Sequence, residues 1–257
     1  MALDKKNKIL ITGHLGVIGS IISPRLTAMG YEVVGYDLKE GDELNNTEKL
    51  VKKLEGAEAC VHLAGIPGPW GNPWSDYQHN NINGTLSVIK ACLKAKVDKI
   101  VYMSSGAVYG FTRGHCNPDM LPVQENNSPV PEDLLDDYDI SKIKCEKHLE
   151  KASKKHGLTA ICLRLDTPTP HAPVLPHHLF MSISEDNLVE AVRASLESDF
   201  EGYGAFNIGD PTITEHPDVD IQQWIQETYP DIPNTTKGRE TLFDLSKAKK
   251  LLGYKPI

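Results

Sequence analysis

The chain has 257 residues, 40% of them hydrophobic and 24% charged, with a formal net charge of −8. That length suits one large α/β domain, or a domain with a small appendage, and the composition excludes disordered and collagen-like chains. The excess of acids argues against a general nucleic-acid binder, because phosphate contacts need clustered Lys and Arg; the lysines are instead spread through helical stretches such as Glu48 to Lys53 and Lys142 to Lys155, as on solvated faces.

Along the chain, apolar runs alternate with helical patterns. KILIT, Lys8 to Thr12, reads as a buried strand, and the pattern after it predicts a helix from about Gly16 to Met29, ended by Gly30. Pro24 falls inside that helix, where it removes a hydrogen bond and should bend the axis. Further strands are expected at Tyr31 to Tyr36, Ala59 to Ala64, Lys99 to Ser104 and Leu158 to Leu165. Helices are expected between them at Thr47 to Leu54, Asn83 to Lys96 and Asp139 to His156. Strands separated by helices imply right-handed crossovers and a parallel sheet covered on both faces.

After Leu165 the pattern loosens, and DTPTPHAPVLPHHL, with four prolines in fourteen residues, fits neither helix nor strand. A helix at Glu185 to Glu197, a strand-like AFNIGD, a helix near Asp220 to Thr228 and a last helix, SKAKKLLG, follow. The expected division is a main domain over residues 1–165, rejoined by a segment near 203–211, and a small C-terminal region over 166–257.

The N-terminal MALDKKNK lacks the apolar stretch of a signal peptide, and no apolar run approaches the ~20 residues of a membrane span. Cys60, Cys92, Cys116, Cys145 and Cys162 include no CxxC pair and are expected to be reduced thiols. A soluble, cytoplasmic protein without membrane or nucleic-acid partners is expected.

Gly13, Gly16 and Gly19 stand between a strand and a helix. There glycines permit a tight turn, close backbone approach to a pyrophosphate and close helix packing, and the helix N-terminus offers partial positive charge to phosphates. The second strand ends at Asp37, 24 residues beyond Gly13. A carboxylate there accepts both hydroxyls of an adenosine ribose and repels a 2′-phosphate, which favours NAD over NADP, although Lys39 lies nearby.

YDISK places Tyr138 and Lys142 at i and i+4 on one helical face. A phenol ordinarily ionises near pH ~10, so base chemistry near neutrality needs a shift of ~3 units, or ~4 kcal/mol. A neighbouring ammonium and a positive nicotinamide ring act in that direction. YMSSGAVYG ends a strand in Ser104 and Ser105, whose hydroxyls can bond a reacting oxygen or simply cap a turn.

TGHLGVIGS, Asp37, VHLAG, NINGT, YMSSGAVYG and YDISK occur in the order and approximate spacing of the extended short-chain dehydrogenase/reductase family, and the closing FDLSKAKKLLGYKP resembles the tail of NAD-dependent epimerases and dehydratases. The resemblance implies an α/β fold, a Rossmann-type doubly wound parallel sheet with a small C-terminal substrate-binding cap, and NAD as cofactor. It implies Tyr138 as acid/base, Lys142 as the ligand of the nicotinamide ribose that favours the phenolate, and Ser105 as the group orienting the substrate oxygen. Gly13, Gly16, Val17 and Ile18 would hold the pyrophosphate, Asp37 the ribose and Asp42 the adenine amino group. Leu63, Ala64 and Gly65 would line the middle of the cofactor. Asn81 would support the active-site helix, and a purely structural Asn is the other reading. A homodimer through the helices around Asn83 to Lys96 and Asp139 to His156 is implied by the resemblance alone.

Family members acting on nucleotide sugars are longer after the strand that ends here at Arg164. Between Lys155 and Arg193 the only Lys or Arg is Arg164, which leaves little positive charge for a diphosphate. The compact plan resembles uronate dehydrogenases, but His177 and His178 stand where those enzymes place an arginine for the substrate carboxylate. The expected activity is NAD-dependent oxidation of a secondary alcohol or hemiacetal carbon on a small carbohydrate-like substrate. A nucleotide-sugar epimerase or dehydratase is the alternative. Trp70 and Trp74 either wall the site or pack their loop onto the body. His171, His177 and His178 lack the carboxylate or cysteine partners of a metal site, and none is expected. Asp136 and Asp137 read as N-terminal helix charges rather than catalysts.

Overall fold

The computed structural model describes residues 7–68, 71–110, 116–165, 182–214 and 217–257. The first strand, β1 (Lys8–Thr12), enters α1 (Val17–Ala28) through the glycine turn, and β2 (Glu32–Tyr36) follows the left-handed Gly30. Next come α2 (Thr47–Leu54) and β3 (Ala59–His62). A short helix, α3 (Trp74–Asp76), runs on as a π-helix (Tyr77–Asn83) into α4 (Gly84–Ala95). The series continues with β4 (Lys99–Met103), α5 (Asp137–His156) and β5 (Thr159–Arg164). It ends with α6 (Glu185–Glu197), β6 (Tyr203–Asn207), α7 (Ile221–Thr228) and α8 (Ser246–Leu252).

The six strands form one parallel sheet in the order β2-β1-β3-β4-β5-β6. Alternate strand residues feed two cores, as the two-residue strand period requires. Ile9, Ile11, Val61, Val101, Met103, Ile161 and Leu163 face α1, α6 and α8. Leu10, Cys60, Ile100, Tyr102, Ala160 and Cys162 face α2, α4 and α5. Four of the five cysteines are buried free thiols, so they pack as small hydrophobes. Pro24 sits inside α1 without ending it. Among the described residues, no helix is long and apolar enough to cross a membrane.

Strand order reverses between β1 and β3, the neighbours on either side of the switch point of a doubly wound sheet. In doubly wound sheets ligands bind at that point, outside the carboxyl ends of the strands. The glycine turn after β1 and the loop after β3 both lie at that end of the sheet.

Candidate functional site

The three glycines meet three different demands. Gly13 has φ +72°, and a Cβ there would lie 2.8 Å from the backbone of Ala64, so it lets the turns after β1 and β3 touch. A Cβ on Gly19 would come within 2.2 Å of the Gly13 carbonyl oxygen, so Gly19 lets α1 close on its own entry turn. Gly16 differs: its Cβ would meet only the Gly13 oxygen, at 3.2 Å, and the space beyond is open. Gly16 is also the N-cap of α1, with no side-chain cap and no acid in the first turn. The leading N–H groups of Val17 and Ile18 are therefore uncapped by side chains, beside an exposed Val17. An uncapped, open helix N-terminus fits a pyrophosphate.

Asp37 is buried at the end of β2 and accepts from Leu15 N–H at 3.0 Å and Lys39 N–H at 2.9 Å, one on each carboxylate oxygen. Each oxygen retains a lone pair, enough to accept the two hydroxyls of a ribose. The Lys39 ammonium is turned onto the Leu15 carbonyl at 2.8 Å. Asp42, also buried, is paired with Lys49 and tied by its N–H to the Asp37 carbonyl. Both acids called for the adenosine end thus stand on one short turn.

After β3, Leu63 N–H bonds the Thr12 carbonyl, and Ala64 N–H reaches the Thr12 hydroxyl at 3.3 Å. Gly65 has φ +151°, and a Cβ there would stand 2.9 Å from Asn81 Oδ1. Asn81 accepts from Ile66 N–H at 2.7 Å and donates to Ser141 Oγ at 3.0 Å, and Ser141 Oγ donates to the Tyr138 carbonyl at 2.7 Å. Asn81 therefore joins this loop to α5.

Helix α5 begins at an Asp136 and Asp139 capping box, which gives Asp136 a structural role. Within its first two turns, Tyr138 and Lys142 are both buried. The Lys142 ammonium donates to the Met103 carbonyl at 2.8 Å and lies 5.8 Å from the centre of the Tyr138 ring. The two serines after β4 separate by role. Ser104 donates to Glu146 at 2.6 Å and is buried. Ser105 caps a 3₁₀ turn, accepting from Ala107 N–H at 3.1 Å. Among the described residues its own proton has no acceptor. Tyr138 packs with Tyr77 and Ala107, and Ile66 and Trp74 complete the cluster. Trp74 thus packs its loop onto the body, with Lys144 over its ring.

Several residues at the site carried no signal of their own in the sequence. Glu146 accepts from Ser104 and from two nitrogens of Arg164, at 3.0 and 2.6 Å. Arg164 also reaches Tyr109 at 3.0 Å, and Tyr109 donates to Asn207 at 2.6 Å. Burial opposes the charge of Arg164, but the bonded Glu146 carboxylate overrides it and pushes its pKa up. His62, wholly buried, lies between the hydroxyls of Thr12 at 2.7 Å and Thr85 at 3.0 Å. Burial, and then the charge of Lys142, lower its pKa to about 3. Nothing in a lone His within an apolar strand announces that role. Tyr77 donates to the Gly68 carbonyl at 2.7 Å.

Trp70, His171, His177 and His178 lie outside the described residues, as does the proline-rich segment after Leu165. Among the described residues, no group of three His, Cys, Asp or Glu side chains is placed to hold a metal ion.

Comparison with known proteins places these features in a family context. The model of the NAD dependent epimerase/dehydratase family matches residues 9–174. UDP-glucose 4-epimerase of Azospirillum brasilense is 33% identical over 177 residues, which cover 61% of this chain and 48% of that enzyme. This chain therefore spans about half the length of that relative. Among solved structures, UDP-glucuronic acid 4-epimerase from Bacillus cereus in complex with NAD is 26% identical, with a TM-score of 0.71 over 97% of this chain and 93% of the other. A mutated uronate dehydrogenase has the same fold, with a TM-score of 0.71 and 20% identity over 98% of this chain and 82% of the other.

Proposed function

Because the chain belongs to the NAD dependent epimerase/dehydratase family, we propose that it oxidises a secondary alcohol or hemiacetal carbon of a small, carbohydrate-like substrate. The observation that carries this reading is the Lys142 ammonium 5.8 Å from the Tyr138 ring, with Ser105 on the turn after β4, its proton without an acceptor among the described residues. NAD, when bound, supplies the hydride acceptor. Gly16, Val17 and Ile18 would receive its pyrophosphate, Asp37 its ribose and Asp42 its adenine, with Leu63, Ala64 and Gly65 along its middle. Tyr138 would take the hydroxyl proton, helped by the ammonium of Lys142, while Ser105 donates to the same substrate oxygen and fixes it. Residues 166–257 would supply the substrate cap.

The second reading is a nucleotide-sugar epimerase with the same machinery, favoured by the similarity to UDP-glucose 4-epimerase. One assay separates the two. Purified protein is mixed with NAD and a panel of free sugars, sugar acids and polyols, with UDP- and dTDP-sugars alongside. Net NADH from a free sugar, reduced about 10²–10⁴-fold in Tyr138→Phe, is the expected result. Conversion of a nucleotide sugar without net NADH would replace the first reading by the second.

A cytoplasmic homodimer through α4 and α5 belongs to the same proposal. The outer face of α5 carries Lys147, Lys151, Lys154 and Lys155, all exposed. A two-fold contact there brings like charges together, so the dimer should tighten as salt screens them. Sedimentation at low and high ionic strength measures this.

A further inference from the structure

The loop after β3 and the helix bearing Tyr138 are held to one another by the π-helix Tyr77–Asn83. Two of its three buried side chains, Tyr77 and Asn81, four residues apart, each reach both ways. Asn81 bonds both main-chain groups of Ile66, at 2.7 and 3.2 Å, and on its other side Ser141. Tyr77 sends its hydroxyl to the Gly68 carbonyl at 2.7 Å, and its ring packs against the Tyr138 ring, with centroids 6.2 Å apart and planes tilted by 59°. π-helical turns are rare and gather at functional sites. Here the local unwinding coincides with the two side chains that grip the loop.

The geometry points to Tyr77 as a positioning residue: its ring braces the Tyr138 phenol while its hydroxyl tethers the Gly65–Gly68 loop after β3, so that loop and acid/base keep one spacing. Tyr77 is 1% exposed, and a hydroxyl so buried needs an acceptor, here the Gly68 carbonyl. It reaches the reacting atoms only through Tyr138 and the loop. This inference rests on the oxidoreductase reading for its catalytic part, whereas the tether can be tested without a substrate.

Two variants separate the ring from the hydroxyl. Tyr77→Phe keeps the ring against Tyr138 and loses the bond to Gly68; Tyr77→Leu loses both. The measurements are NADH affinity by fluorescence titration, amide hydrogen exchange over residues 65–68, thermal midpoint, and kcat and KM across pH on the alcohol found by the substrate panel. Tyr77→Phe should weaken NADH binding about fivefold and speed exchange at residues 65–68, with a fall in kcat smaller than that of Tyr77→Leu. Tyr77→Leu should add a fall in kcat of about 10²-fold, from misplacement of the phenol, beyond any change in KM. Variants that lose only thermal stability, with NADH affinity, exchange and kcat unchanged, would overturn the proposal. If Tyr77→Leu does not fold, Tyr77→Phe decides it on NADH affinity and exchange. If no alcohol is turned over by the unaltered protein, the oxidoreductase reading fails by itself, and those same two readouts still judge the tether.

Discussion

On the side proposed to hold the adenosine, the shape comes from backbone against backbone. Gly13 meets Ala64, Gly19 meets the Gly13 carbonyl, and Asp37 ties down the N–H groups of Leu15 and Lys39. On the side proposed to react, the shape comes from side chains of distant elements. Ser104 to Glu146, Asn81 to Ser141 and Tyr109 to Asn207 join residues 42, 60 and 98 positions apart. A cradle of backbone depends on the absence of side chains at fixed positions. A constellation of buried polar groups depends on every partner being present, since each lost partner leaves a desolvated group unpaired.

His62 joins the two sides, bonded to Thr12 at the end of β1 and to Thr85 at the start of α4, and it should give the largest effect. Its pKa is about 3 in the fold, against ~6.5 for an unfolded histidine. Between those values the unfolded chain binds a proton that the folded chain refuses. Stability should therefore be intact above pH ~6.5 and fall on the order of 4–5 kcal/mol as pH drops toward 3. Denaturant titrations from pH 8 to pH 4 would record the decline, and His62→Gln should flatten it. A flat profile in the unaltered protein would remove His62 as a neutral joint.

Glu146→Ala tests the reacting side alone. It strands the Arg164 guanidinium, whose side chain is 13% exposed, and should cost about 3–5 kcal/mol by chemical denaturation. NADH affinity of the folded protein should remain near its original value. A large loss of affinity would show that the two sides are not separable in the way their contacts suggest.

Gly16→Ala gives the smallest effect and sharpens the comparison most. A Cβ at Gly16 has only one near neighbour, at 3.2 Å, so thermal stability should hold within about 1 kcal/mol. NADH binding should weaken about tenfold, because the methyl group would occupy the approach to the helix N-terminus. Equal loss of stability and affinity would mean that Gly16 serves packing, as Gly13 and Gly19 do.

The sheet, its helices and the glycine turn were legible because they follow from local pattern. The apolar runs gave each strand to within a few residues, and Thr47–Leu54 and Glu185–Glu197 match their expected bounds. The short helix and π-helix over Trp74–Asn83 were not foreseen: GIPGPWGNPW reads as a loop, and the segment after it carries no helical stripe of apolar residues until Ile82. Tyr77 and Asn81 matter through what they touch across space, and spacing along the chain cannot disclose a contact with Gly68 or Ser141.

The sequence by itself determined the alternation of strand and helix, the glycine positions, the acid closing β2, and the one-turn spacing of Tyr138 and Lys142, because each depends on neighbours within a few residues. Only the tertiary structure decided that Ser104 rather than Ser105 is spent on Glu146, that Arg164 is bound to Glu146, and that His62 is held neutral. The reason is physical. Burial and hydrogen-bond partners set the charge and the free donors of a group, and those partners come from strands and helices that are adjacent in the sheet but far apart in the chain.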